Sequence, residues 1–363
     1  MGSIDVKSSS GTYSCSVGRS ILRERLRELV NARSFSSGFL FVDENVWQNH
    51  KTRIVEDFEA TGIEAQVRII PSGEKSKSVS EWESLVDYLL RSGVRRNTPL
   101  FAIGGGVTGD LAGFVAASTM RGIPLIHIPT TLLAMVDSSI GGKTGVNHDT
   151  GKNLIGSFYQ PVEVIADIDF LDTLPEREWT NGLSEVLKYG AIRDKDIFTR
   201  SELFLNGDGK PSKHSGLQGL ILDCAKIKAD IVQEDEFEAG KRAFLNFGHT
   251  FAHAMEKAAD FNSLNHGEAV YLGMLAATKL SNLTGADIDS AVFERFRNLY
   301  TFRVSADTLN IDAMLKTMKL DKKVIDENYR FILLKDWQQP EVKTVNNEEH
   351  IRQAWLIVHN QLS

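Results

Sequence analysis

Short apolar runs alternate with segments of helical periodicity over the first half of the chain. GFLFVD (38–43), AQVRII (65–70), PLFAI (99–103), PLIHI (124–128) and EVIAD (163–167) are short and mainly apolar, and read as buried parallel strands. Between them, 46–60, 78–93 and 108–118 carry apolar residues at helical spacing. Strands separated by helices predict βαβ units and a sheet covered on both sides. After LDTLPERE (171–178) the strand signals nearly stop. Segments 178–192, 216–233, 248–260, 266–282, 289–299 and 346–360 are helical in pattern, and only RFILLKD (330–336) is strand-like. The pattern predicts an α/β domain over 1–175 and a mainly α-helical domain over 176–363, with the polar NGDGKPSKHSG (206–216) as a surface loop.

Composition narrows the classes. Hydrophobic residues make up 42% of the 363 and charged residues 25%, ordinary for a soluble chain with room for two cores. A net charge of −7 argues against nucleic acid or an anionic membrane as the main partner. No apolar run approaches the ~20 residues of a membrane span. The first residues lack the basic-then-apolar order of a secretion signal. Cys15 and Cys224 form no disulfide or metal pattern, so a cytoplasmic location is expected.

Candidate chemistry sits in the loops and in three polar clusters. IGGGVTGDLAGF (103–114) follows a strand and opens a helix. Its Gly104, Gly106 and Gly109 fit G-x-G-x-x-G, which lets backbone approach a pyrophosphate; a tight structural turn fits equally well. The acid expected ~20 residues after a Rossmann loop is missing. Asp43 instead ends the first strand, as a ribose acceptor or as a helix cap. The run 129–161, rich in glycine and polar residues, is too long for an idle loop, and its Lys143, Lys152 and Asn153 suit phosphate. Glu185 and Lys188 are i, i+3 neighbours among apolar residues, either a surface ion pair or a pair turned into a site. Lys228, Glu238, Arg242, Asn246 and His249 follow one another within 226–250. His249 and His253 share a helix face as in metal-binding HxxxH pairs, but Thr250 stands where zinc proteases place their glutamate. Helix histidines held by hydrogen bonds are the alternative.

In order along the chain, PSGEKSKS, GGGVTGDLAGF, TMRGI, PTTLLAMVDSSIGGKTGVNHDTGKNLIGSFYQP, GLSEVLKYG, LNFGHTFAHA, HGEA and LDKK resemble the motifs of the 3-dehydroquinate synthase family of sugar-phosphate cyclases. The resemblance covers about residues 38–336. It implies an N-terminal dinucleotide-binding α/β domain and a C-terminal helical metal-binding domain, paired as a homodimer, with NAD and one divalent metal, Zn or Co. The implied reaction turns the small-molecule sugar phosphate 3-deoxy-D-arabino-heptulosonate 7-phosphate into 3-dehydroquinate and phosphate, in the shikimate pathway to aromatic amino acids. Its steps are transient oxidation with NAD, β-elimination, reduction, ring opening and aldol closure.

The implied metal ligands are Glu185, His249 and His266. Substrate contacts fall on Arg121 (given across the dimer), Asp137, Lys143, Asn153, Lys188, Lys228, Arg242, Asn246, His253 and one of Lys322 and Lys323. Lys228 and Arg242 match the pair nearest the substrate carboxylate. Asp137 and Lys188 match catalytic, substrate-side positions, and Glu238 and His253 match general acid or base positions. NAD contacts fall on Asp43, Glu74, Lys77, Gly105, Gly106, Val107, Asp110, Thr130, Thr131, Lys143, Lys152 and the run Phe170, Leu171, Asp172, Thr173. Departures are small: Thr108 for a common aliphatic residue, Gly145 for a frequent alanine, and one extra residue between the histidine ligands.

Rival readings are a cyclase acting on sedoheptulose 7-phosphate or glucose 6-phosphate, a metal-dependent glycerol-type dehydrogenase of the same fold, and a non-catalytic regulator that retains the scaffold. TGKNLIG and LNFGHT look like the dehydroquinate type, and Lys228 with Arg242 suits a carboxylate that the rival sugars lack.

Overall fold

Parallel pairing of buried strands builds the first half of the chain, in a computed structural model that describes residues 1–205, 211–259, 263–320 and 329–362. The strands are β1 (Gly2–Ser8), β2 (Gly11–Gly18), β3 (Ser37–Asp43), β4 (Glu64–Ile70), β5 (Leu100–Gly104), β6 (Leu125–Pro129), β7 (Lys143–His148), β8 (Gly151–Phe158) and β9 (Glu163–Asp167). Seven of them form one sheet in the order β1-β2-β9-β6-β5-β3-β4, parallel except at the edge strand β1. The remaining two pair as an antiparallel hairpin. All five strands expected from apolar runs are present, but β4 lies at the sheet edge and is buried only at Ile70, not on both faces. The long loop expected over 129–161 is instead a single π turn, Ala134–Ser138, followed by the β7–β8 hairpin. That hairpin hides from an apolar pattern because it is polar and pairs Gly145 with Gly156.

Alternation along β3 shows how the sheet is covered. Leu40 and Val42 point into a core with α1 (Leu22–Arg33) and α2 (Glu44–Glu59). Phe39 and Phe41 point into a second core, with α3 (Val79–Arg91) and α4 (Gly106–Ser118). β4 lies on one side of β3 and β5 on the other, so the chain reverses its winding there. The crevice outside the carboxyl ends of the strands at such a reversal is where open α/β sheets bind ligands. Val42 pairs with Ile103 and Gly104 with Pro129, so Asp43, Gly105 and Thr130 emerge from neighbouring strand ends.

One buried carboxylate ties the far side of this sheet together. Asp167 accepts hydrogen bonds from the backbone N–H of Ser20 and Leu22, both at 3.0 Å, and pairs with Arg53. The Arg53 guanidinium also lies 4.8 Å above the Phe170 ring. A buried charge is tolerated when its oxygens are engaged in this way.

The later helices are α5 (Glu176–Ile192), α6 (Asp196–Arg200), α7 (Leu217–Glu234), α8 (His249–Ala258), α9 (His266–Leu283), α10 (Ala291–Glu294), α11 (Ile311–Leu320) and α12 (Glu348–Leu362). Two more strands, β10 (Tyr329–Leu334) and β11 (Pro340–Val345), pair antiparallel. The chain divides into one unit of Met1–Pro175 with Gly209–Phe237 and another of Glu176–Asp208 with Glu238–Ser363. α7, expected with the later helices, clusters with the first unit because it covers the N-terminal hairpin. Backbone N–H groups of Lys7 and Ser9 donate to Gln233 and Glu236, at 3.3 and 2.7 Å. Of the loop expected at 206–216, residues 206–210 lie outside the described residues and Pro211–Lys213 form a 3-10 turn. In the second unit α9 is buried almost all round, as a central helix must be, and α12 packs on it, with its buried Trp355 edge-on to Phe251 of α8.

His127 lies buried within β6, and burial drives its imidazole pKa from 6.5 down to about 4. The unfolded chain takes up a proton below pH 6.5 that the fold refuses, so this contribution is intact at neutral pH and lost as the pH falls through 4. Denaturant unfolding of the wild type and His127→Gln should therefore show the wild type losing stability relative to the variant between about pH 7 and about pH 4.5. A difference that does not change with pH contradicts this.

Candidate active site

Three helices of the second unit bring one group each to a common point. Glu185 lies on α5, and His249 and His266 are the first residues of α8 and α9. Their ligand atoms all lie within 4.8 Å of one another, and each histidine Nε2 is 3.5 Å from Glu185 Oε1. The helices approach this closely because glycines stand where they touch. A Cβ on Gly267 would lie 2.4 Å from the Asn181 backbone of α5, and one on Gly273 would lie 2.2 Å from the carbonyl oxygen of Gly248. Gly248 precedes His249 at φ 81°, a left-handed conformation that favours glycine.

The first turn of α9 is fastened to α5 by polar contacts. The Gly267 N–H donates to Asn181 Oδ1 at 2.7 Å, and Ser184 Oγ donates to the Gly267 carbonyl at 2.6 Å. Glu268 forms a capping box with Asn265 and receives both arms of Arg177, each at 2.8 Å. These bonds satisfy N–H groups that a helix start leaves open and fix the direction of His266.

Behind each imidazole stands an orienting oxygen. His249 Nδ1 is 3.2 Å from the Phe247 carbonyl, and His266 Nδ1 is 3.5 Å from Glu256 Oε1. Metal-binding histidines use such partners to fix tautomer and ring orientation. Glu256, buried on α8, is absent from the residues singled out by sequence; its one signal is a position seven residues after His249, on the same helix face.

Burial drives His249 down to about 3, which keeps its imidazole neutral. Burial also opposes a charge on His266, but the carboxylates of Glu185 and Glu256 outweigh it and raise that group to about 10. The cluster thus demands positive charge beside Glu185, which is 1% exposed and also pairs with buried Lys188. A divalent cation meets that demand with both imidazoles neutral, and one carboxylate with two imidazoles leaves Zn²⁺ positions open for other ligands. The donor set fits such a metal. His253 lies one turn beyond His249 with ring centroids 5.6 Å apart, yet it is outside the converging group.

The other expected residues of the second unit fall near the same helices in sequence. Arg242 is buried, and Asn246 Nδ2 donates to Glu238 Oε1 at 2.6 Å. Glu238 itself sits at φ 59°. Lys322 and Lys323 lie outside the described residues.

In the first unit, Asp137 sits in the π turn, and Lys228 Nζ of α7 reaches its Oδ1 at 2.9 Å and its carbonyl at 2.6 Å. Arg121 (φ 63°) and Asn153 (φ 57°) join Glu238 among the non-glycine residues in left-handed backbone, along with Ser20, Ser34, Met120 and Gln338, none of them a candidate position. Asp43 caps α2: its Oδ1 accepts from the Asn45 and Val46 N–H groups, at 2.9 and 3.3 Å, and from Ser72 Oγ at 2.9 Å. None of those three bonds uses Oδ2. Gly105 caps α4 without a side chain, so the N–H groups of Gly106 and Val107 open toward the strand ends. Thr130 is buried, and its hydroxyl has no hydrogen-bond partner among the described residues, which suits a bound polar group. Thr131 Oγ1 accepts from the Ala134 N–H at 3.1 Å.

Lys77 is buried and paired with Asp110, whose pKa burial raises despite that neighbour. Glu74 accepts from Asn147. Lys143 is exposed and Lys152 half-buried. Phe170 and Leu171 are buried, whereas Asp172 pairs with Lys213 and the Thr173 hydroxyl lies 2.7 Å from His50 Nε2.

Known proteins resemble this chain in sequence and in fold. The family model of the 3-dehydroquinate synthase N-terminal region matches residues 67–181, and that of the C-terminal region matches 182–324. A 3-dehydroquinate synthase of Salinibacter ruber is 43% identical over 87% of this chain and 86% of its own. A 2-epi-5-epi-valiolone synthase from Streptomyces hygroscopicus, solved with NAD+ and Zn2+, superposes with a TM-score of 0.86 at 26% identity, over 96% of this chain and 97% of its own. A 2-deoxy-scyllo-inosose synthase, solved with carbaglucose-6-phosphate, NAD+ and Co2+, gives 0.84 at 26% identity over 99% of both chains.

Metal content distinguishes the converging group from the HxxxH pair. His249→Ala and His266→Ala should each lose bound zinc after dialysis, while His253→Ala retains it at the wild-type ratio. Loss of zinc from His253→Ala, with retention in His266→Ala, would reverse the assignment.

Proposed function

The chain belongs to the 3-dehydroquinate synthase family, and from that premise we infer how its residues divide the work. It is a carbon–oxygen lyase that converts 3-deoxy-D-arabino-heptulosonate 7-phosphate to 3-dehydroquinate and phosphate, with NAD and a divalent metal. The observation that carries the site is the approach of Glu185, His249 and His266 to within 4.8 Å. When bound, NAD supplies reversible oxidation of a secondary alcohol, and the metal supplies polarisation of the substrate oxygens it holds.

Residues 1–175 are our candidate NAD domain. Asp43 Oδ2 accepts from a ribose hydroxyl while Oδ1 keeps its helix cap. The N–H groups of Gly106 and Val107, at the positive end of α4, face the pyrophosphate. Thr130 and Thr131 donate hydroxyls, Glu74 and Asp110 accept, and Lys77 and Lys152 balance charge. Phe170 and Leu171, being buried, shape the pocket wall from within, and Asp172 and Thr173 offer polar atoms.

Residues 176–363, apart from the α7 stretch that clusters with the first unit, are our candidate metal and substrate domain. Glu185, His249 and His266 hold the metal, and Lys188 stabilises negative charge that develops on a substrate oxygen. Asn246 and His253 bind phosphate, and Glu238 and His253 move protons. Arg242 presents a planar fork to a carboxylate. From the first unit, Lys143 and Asn153 bind phosphate, Lys228 serves the carboxylate, and Asp137 holds Lys228 in place. Lys228 and Arg242, a pair suited to a carboxylate, favour this reading over the related cyclases, whose sugars lack one.

Exposed Met120, Leu154 and Phe158 support a homodimer in which Arg121 reaches the partner's site. No described helix is long and apolar enough to cross a membrane, and the buried thiols of Cys15 and Cys224 suit a reducing cytoplasm.

Phosphate release from the heptulosonate phosphate, sedoheptulose 7-phosphate and glucose 6-phosphate tests the substrate directly. Release is expected from the first alone, and should be abolished by a chelator. Release from sedoheptulose 7-phosphate alone would make the chain a sister cyclase.

A further inference from the structure

Asn147 links two segments that the functional reading assigns to different ligands. It stands on β7 at the irregularity between Val146 and His148, where the ladder with β8 slips. Such a slip re-aims a side chain. Here Asn147 Nδ2 donates to Glu74 Oε1 at 2.7 Å, and Oδ1 accepts from the backbone N–H of Asn153 at 2.9 Å. The Asn147 backbone N–H donates to the Lys77 carbonyl at 2.8 Å, and Ser78 bridges to Asn147.

Glu74 and Lys77 belong to the NAD-facing segment, and Lys77 in turn holds Asp110 on α4. Asn153 belongs to the phosphate-facing turn and has a left-handed backbone, φ 57°, a conformation open to asparagine, whose N–H is tied down here by the Asn147 amide. A primary amide both donates and accepts, so one side chain grips a carboxylate on one side and a backbone N–H on the other. Aspartate only accepts, and alanine does neither.

We propose that Asn147 is a positioning residue that fixes the spacing between the NAD-binding segment Glu74–Lys77 and the phosphate-binding turn at Asn153. It touches neither ligand and acts through both neighbours. The proposal rests on the functional reading above.

Two variants of the full-length protein separate this role from a merely structural one, read by NAD titration calorimetry, steady-state KM and thermal unfolding. Asn147→Asp keeps the acceptor for Asn153 and sets a carboxylate against Glu74. Its NAD dissociation constant should rise about 10-fold or more, while the KM for the heptulosonate phosphate stays within about 2-fold. Asn147→Ala removes both grips, so both constants should rise. Variants that melt earlier yet keep wild-type NAD affinity and KM while folded overturn the proposal. If Asn147→Ala does not fold, the near-isosteric Asn147→Asp decides alone. Wild-type protein that neither binds NAD nor releases phosphate brings down the functional reading and this inference together. Normal wild-type behaviour with unchanged NAD affinity in Asn147→Asp overturns the inference only.

Discussion

The close approach of α9 to α5 and α8 is the constraint on which the metal cluster depends. Side chains normally hold packed helices about 8–10 Å apart. Gly267 and Gly273 remove that spacer at two points on one helix, so the backbone of α9 touches Asn181 on one side and Gly248 on the other. The two ligand histidines begin their helices, where direction is set by caps: Gly248 for His249, and the Asn265–Glu268 box with Arg177 for His266. Glycine within a helix costs about 1 kcal/mol relative to alanine, which the near-complete burial of α9 offsets.

Electrostatics makes the same cluster a place that favours positive charge. Glu185 is buried in a helix whose other inward residues are mostly apolar, and an isolated carboxylate there is costly. Lys188 and the His266 imidazolium, held by Glu185 and Glu256, supply positive charge. A divalent metal held there would replace the proton and couple binding to the fold of three helices. The first unit solves a different problem by different means. Its candidate dinucleotide site combines strand ends, a glycine-capped helix start and a buried threonine hydroxyl with charged side chains that are already paired, Lys77 with Asp110 among them.

The central parallel strands and main helices were legible because burial on two faces writes apolar runs into the sequence, while β4, at the sheet edge, is buried only at Ile70. β1 and β2 were not, being short of such runs, and the β7–β8 hairpin was hidden by facing glycines. α1 carries a readable spacing at Leu22, Leu26, Leu29 and Val30 beneath many charges. At the site, local spacing favoured His249 with His253, whereas the structure brings His249 to Glu185 and His266. Spacing fails there because the convergence is made by tertiary glycine contacts; only the family motifs named the three. Asp43 shows the opposite case, in which both readings of one residue hold together, a cap on Oδ1 with Oδ2 outside those bonds. Glu256 and Asn147 depend on partners distant in the chain and were out of reach of any motif.

Zinc affinity of Gly273→Ala tests the central claim most directly. A Cβ at this position meets the Gly248 carbonyl oxygen at 2.2 Å, so α8 must shift and carry His249 away from Glu185. The account predicts that zinc binding weakens about 10-fold or more while helical content and NAD affinity are kept, as for other disturbances behind a metal ligand. Gly62→Ala, at an open left-handed turn in the first unit, should leave zinc affinity unchanged. Undiminished zinc affinity in a folded Gly273→Ala protein would contradict the account.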